Sequence, residues 1–124
     1  MIPRRPAAAL LALVLLAATA AAQDGAGARA REVTATRASL KAIRAGLDDF
    51  LFVHGRYPYT EEGVAILLTW GLFGGPYIER SVATLDAWGR PFVYRSPSTR
   101  AGRREFDLFS LGPDGREGTA DDVE

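Results

Sequence analysis

The oxygen-rich end of the chain, LGPDGREGTADD (residues 111–122), holds the side chains best suited to chemistry. Asp114, Asp121 and Asp122 fall close together, and Gly112, Gly115 and Gly118 among them let backbone carbonyls turn inward. Calcium takes about six to eight oxygen ligands, mixing carboxylates with carbonyls on a flexible loop. The segment is no EF-hand, because Arg116 stands where a second acid is required. Composition leaves two readings open, a cation-binding loop and a loose acidic end, and the loose end is the simpler of the two.

Catalytic chemistry finds little support. The chain has no cysteine and one histidine, His54, which removes thiolate sites, Cys nucleophiles and multi-histidine centres. No glycine-rich phosphate loop, GxSxG or HExxH occurs. Ser110 has no histidine near it in sequence, and Glu61 and Glu62 are better explained by helix-start chemistry than as an acid/base pair. His54, followed by Gly55, reads as a helix-end cap. Lys plus Arg and Asp plus Glu number 15 each, so no global charge draws the chain to nucleic acid. The reading is of a non-catalytic protein.

Several elements must carry the acidic end. Residues 1–22 carry two arginines, Arg4 and Arg5, and continue into a charge-free apolar run over residues 7–22, short for a span of about 20 residues. They read as a secretory signal peptide cleaved after Ala22, or as an uncleaved apolar anchor. Membrane contact is expected only if that run is retained. Residues 23–29, QDGAGAR, read as a linker and residues 30–124 as the folded domain. Val33, Leu40, Ile43, Leu47, Phe50 and Leu51 form an apolar stripe that predicts a spine helix over about 30–52, roughly 35 Å long. Arg44 and Asp48 on its other face are spaced to pair one turn apart.

A second short helix is expected over EEGVAILLTWG, capped by Thr60 and packing Val64, Leu67 and Leu68 on the spine. Residues 90–95 and 105–110 read as two antiparallel strands, with Phe92 and Tyr94 on one face and Phe106 and Leu108 likewise. The connecting loop, with Arg100, Arg103 and Arg104 and with Arg95 at its start, reads as a solvated basic tip. The fold class is α+β: a long helix followed by a short one and a small antiparallel sheet that buries one face on the spine.

Three stretches together resemble the major pseudopilin, the G subunit, of type II secretion systems. They are GRYPYTEEGVAIL, YIERSVATLDAWGRPFVY and EFDLFSLGPDGREGTADDV, in the family's order and spacing. The resemblance covers roughly residues 30–123. It implies a pseudopilin-like fold whose C-terminal loop binds one Ca2+ ion. Carried over position by position, the ligands are the side chains of Asp114 and Asp121 and the carbonyls of Leu111, Arg116 and Thr119. Asp122 is either a further ligand or a residue supporting the ligands from behind. Tyr57 and Trp88 gain packing roles, with Ala87 where the family has proline.

The same resemblance implies secretion-system or other pseudopilin-like subunits as partners, copies of the chain itself among them, and an exported location. That location is the periplasm or the periplasmic face of the inner membrane. The N-terminus departs from the family pattern: no glutamate interrupts residues 7–22, and MIPRRP lacks the Gly-Phe cleavage site. Two readings follow, a membrane-held fibre subunit and a soluble exported module that binds calcium and a partner. Gly25 and Gly27 favour the second, since glycines weaken a continuous helix.

Overall fold

The computed structural model describes residues 8–99 and 105–124, with side chains from residue 25 onward. One helix, α1, spans Ala8–His54. The chain divides into two compact units, Met1–Arg31 and Glu32–Glu124. Within the described residues the first unit is helical from Ala8. Its signal-peptide or anchor segment, residues 1–22, has its side chains outside the described residues. Among the described residues no helix is long and apolar enough to cross a membrane.

Residues 23–29, expected as a linker, are part of α1. Extending a helix adds one hydrogen bond per residue fixed, and each glycine costs only about 1 kcal/mol. Alanines interleave Gly25 and Gly27, so two isolated glycines do not break the run. The far end of α1 falls where the sequence puts it. Gly55 has φ +72°, and its N–H donates to Leu51 O at 2.8 Å, satisfying one of the last carbonyls of the helix.

In the second unit Leu40, Ile43, Leu47 and Phe50 are buried, and Val33 packs against them at the margin. Thr36 and Gly46 lie on the same face. At Gly46 a Cβ would stand 2.4 Å from Ile78 Cγ2 and 3.0 Å from Tyr77 O. The absent side chain lets the 77–78 segment lie directly on the helix. Arg44 and Asp48 do not pair. Arg44 Nη2 donates to Leu108 O at 3.0 Å, and Asp48 Oδ1 accepts from the Tyr57 hydroxyl at 3.2 Å. Longer-range partners outbid the one-turn neighbour on each side.

The expected second α-helix is a single 3-10 helix, Val64–Leu68. Gly63 precedes it with φ +63°, and Thr60 does not cap it. Thr60 Oγ1 instead bridges to Ser96, accepting from its N–H and donating to its carbonyl. Glu62 is drawn away to Arg56 and to the Tyr59 N–H. Leu67 is fully buried, with Val64 and Leu68 packed at the edge of the core.

Two short strands, β1 (Val93–Arg95) and β2 (Asp107–Phe109), pair antiparallel with Val93 opposite Phe109, Tyr94 opposite Leu108 and Arg95 opposite Asp107. They are the cores of the longer strands expected. Phe92 and Tyr94 are buried together, as their alternation requires, and the Tyr94 hydroxyl donates to Pro58 O at 2.6 Å. Strand β2 breaks the alternation, since Asp107, Leu108 and Phe109 are all buried. Asp107 is accommodated by Ser98 and Thr99, whose polar hydrogens satisfy its carboxylate. Residues 100–104, which include most of the expected basic tip, lie outside the described residues. Arg95 forms a two-pronged ion pair with Glu117, both contacts 2.8 Å.

Candidate functional site

The acidic loop leaves the sheet at Ser110 and returns at Val123, where the two residues exchange both backbone hydrogen bonds, 2.8 and 3.0 Å. That bridge closes the loop at its root. Inside it, Ser110 Oγ accepts from Gly112 N at 3.0 Å and donates to Asp86 Oδ2 at 2.7 Å. Asp86 is itself buried, and its other oxygen accepts from the N–H groups of Trp88 and Arg90. The turn at residues 86–90 thus clasps the first residues of the loop. The turn is tied in its own right to α1, by Ala87 N to Thr36 Oγ1 and by Trp88 Nε1 to Glu32 Oε2.

Gly112 has φ +70°, and a Cβ there would meet Asp121 O at 1.9 Å. The two limbs of the loop therefore touch backbone to backbone, and only glycine fits. Beyond it Gly115 N donates to Gly112 O at 3.3 Å, forming a turn that presents Asp114. Asp114 Oδ1 accepts from Arg116 N at 3.0 Å. That backbone N–H holds the exposed Asp114 carboxyl below its ordinary value of 3.8. Thr119 Oγ1 lies 3.2 Å from Arg116 O, to which it donates. Asp122 Oδ2 accepts from Gly118 N at 2.8 Å, its N–H donates to Thr119 O at 3.3 Å, and its Oδ1 is buried.

Local hydrogen bonds therefore bring Asp114, Arg116, Thr119 and Asp122 together. Asp121 is exposed and meets the opposite limb through its backbone, and Leu111 is half-buried next to Ser110. Among the described residues no three His, Cys, Asp or Glu side chains form a group able to hold a metal by themselves. A set of two carboxylates with carbonyls does not require such a group. The donors in the loop are hard oxygens. Arg116 O and Thr119 O each accept one hydrogen bond, which leaves a second lone pair on each, and Asp114 is kept ionised. In donor chemistry the residues fit calcium.

Asp86, Arg90 and Arg95 escape sequence reasoning as parts of this site, and Ser110 enters it only as a nucleophile without a base. No local signal marks them, since each reaches the loop or its root across 22 residues or more. Ser110 is wholly buried, and its hydroxyl is occupied by Asp86 and Gly112. His54 stacks on Phe50 and shares a 2.9 Å hydrogen bond with the Tyr77 hydroxyl, a packing role at the helix end. A cavity of about 580 Å³ opens elsewhere, between Arg44, Tyr57, Phe106 and Leu108.

A spine helix, a small antiparallel sheet and an acidic loop closed against the sheet edge define a pseudopilin-like protein. Residues 25–124 match the family model described as type II secretion system (T2SS), protein G, and the chain belongs to that family. Type II secretion system core protein G of Pseudomonas aeruginosa is 34% identical over 100 residues, covering 73% of this chain and 66% of that protein. The same-named proteins of Pectobacterium carotovorum and Aeromonas hydrophila are 32% and 33% identical over 90 residues, 66% of this chain. They are covered over 54% and 59% of their own lengths, so the matched region is less than two thirds of these curated relatives. The crystal structure of the major pseudopilin from the type 2 secretion system of enterohaemorrhagic Escherichia coli superposes with a TM-score of 0.61 at 25% identity. It covers 79% of this chain and 89% of that one. The relatives carry the names of secretion-system and pseudopilin proteins, not of enzymes.

Proposed function

We propose that the chain is a non-catalytic structural subunit of a type II secretion apparatus, assembling with other pseudopilin-like subunits, its own copies included, outside the cytoplasm. The observation that carries this reading is the likeness of the second unit and its spine helix to a solved major pseudopilin. The helical path through residues 23–29 favours it over a detached soluble module. One ground for that second reading is a glycine-broken linker, and the glycines lie inside α1. Recovery of the chain from native envelope fractions tests it, by intact mass and N-terminal sequence. Retention of residues 7–22, with cross-linked ladders of the chain, is the expected result. A start at Gln23 with only monomer recovered would overturn it.

The acidic loop is read as a calcium site. Asp114 and Asp121 would supply carboxylates, Leu111, Arg116 and Thr119 carbonyls, and Asp122 a further carboxylate at or behind the ligands. The bound ion would neutralise these oxygens and fix the loop. Around it the chain's own residues set the stage: Ser110 and Val123 close the root, Gly112 brings the limbs into contact, and Asp114 is kept ionised. An ion that binds only the folded state stabilises it by about 2.7 kcal/mol at a hundredfold excess over Kd. The melting midpoint of the full chain should rise with calcium and fall with chelator, and Asp121→Ala should abolish the difference. An unchanged midpoint would end the calcium reading.

A further inference from the structure

We propose that Arg90 is a tethered cation of the acidic loop, a positioning residue that holds its first turn and lessens its need for a bound ion. The inference rests on the calcium reading above and extends it to a residue outside the ligand set.

Arg90 is aimed by its own backbone. Its N–H donates to Asp86 Oδ1 and its carbonyl accepts from Asp86 N, both at 2.8 Å, so the residue leaves a closed turn in one direction. From there Nη1 donates to Gly112 O at 2.8 Å and to Pro113 O at 3.4 Å. The guanidinium also lies against Gly115. A Cβ at that glycine would be 2.8 Å from Cζ, 2.9 Å from Nε and 3.0 Å from Nη2. One cationic group thus touches the backbone on both sides of Asp114.

Two other arginines near this sheet direct their charge to carboxylates, while Arg44, like Arg90, donates to a carbonyl, that of Leu108 in β2 rather than one in the loop. Arg56 pairs with Glu62 and Arg95 with Glu117, whereas the side chain of Arg90 donates to carbonyl oxygens. Gathering carbonyls about a cation is what calcium also does in an oxygen-lined loop. The guanidinium cannot be deprotonated, so its contribution is permanent.

Two effects of removing it point the same way. Without Arg90 the carbonyls of Gly112 and Pro113 lose the group that holds them, which weakens the ion-free loop most. A bound calcium ion no longer faces a nearby positive charge, which favours the ion-loaded loop. The difference between the calcium and chelator melting midpoints therefore widens. A mere structural brace would lower both midpoints together and leave the difference alone.

The experiment melts the full-length chain in excess calcium and in EDTA, as wild type, Arg90→Gln and Arg37→Gln, the last removing one exposed charge from α1. Arg90→Gln should widen the difference by about 4 °C or more, mostly through a lower EDTA midpoint, while Arg37→Gln matches wild type. Arg90→Lys, which keeps the charge without the planar guanidinium, should fall between them and serves if the glutamine variant does not fold. A calcium shift in wild type with an equal or smaller one in Arg90→Gln overturns the role of Arg90 and leaves the calcium site standing. No shift in any variant ends both. A shift only in Arg90→Gln, with none in wild type, ends the calcium reading of the natural chain and the proposal with it.

Discussion

Ser110 and Asp86, 24 residues apart in sequence, are both buried and joined by a 2.7 Å hydrogen bond between the 86–90 turn and the root of the acidic loop. Ser110 donates that proton and accepts another from Gly112 N, so one hydroxyl fixes both a turn and the start of a loop. The position of the candidate site depends on this pair.

Replacing Ser110 with alanine leaves Gly112 N–H and Asp86 Oδ2 without a partner in a buried place. A loss of about 1–3 kcal/mol in urea unfolding is expected. Asp86→Ala strands the N–H groups of Trp88 and Arg90 as well and should cost more. Because the two residues share a bond, the double variant should cost less than the sum of the singles. Strict additivity would show that the bond contributes nothing.

Two glycines of α1 should respond to alanine in opposite directions. Gly46→Ala drives a methyl group into Ile78 and the Tyr77 carbonyl. Overpacking of that kind costs about 1–3 kcal/mol, more than the roughly 1 kcal/mol that alanine returns in helix propensity. Gly25 has nothing within 4 Å of a new Cβ, so Gly25→Ala should stabilise the helix by about 0.5–1 kcal/mol. Circular dichroism and thermal melts of both variants read the contrast.

Gly112→Ala meets two obstacles, φ +70° and the Asp121 carbonyl at 1.9 Å from the added atom. The loop limbs must separate. The expected result is a loss of amide-exchange protection at Ser110 and Val123 together with a lower melting midpoint. Retained protection at both positions would contradict the close approach.

Stability should fall in acid partly through Glu62. Its carboxyl is held below the ordinary value of 4.5, first by the Arg56 side-chain hydrogen bond and then by the Tyr59 N–H. A depressed folded-state value means that the stabilisation is present above pH 4.5 and is lost as pH falls through the lower, folded value. The pair is partly exposed, so the effect is small. Glu62→Gln should flatten the decline of stability below pH 4.5, and an unchanged slope would remove Glu62 from the cause.

The sequence by itself determined what depends on neighbours along the chain. The stripe from Val33 to Phe50, the stop at His54 and Gly55, the existence of two antiparallel strands and the oxygen-rich character of the last loop all follow from periodicity, glycine geometry and residue type. Family resemblance, carried by local motifs, added the class of protein. Local rules failed where distant groups competed. Thr60 is taken by Ser96 and Glu62 by Arg56, which leaves a 3-10 turn in place of a capped helix, and Arg44 is taken by Leu108 O rather than by Asp48. Residues 23–29 are helical for another reason, since a growing helix absorbs isolated glycines at about 1 kcal/mol each. Only the tertiary structure decided that Asp86, Arg90 and Ser110 support the acidic loop. Their hydrogen bonds exist because packing on α1 brings the 86–90 turn to the sheet edge, and no spacing along the chain encodes that meeting.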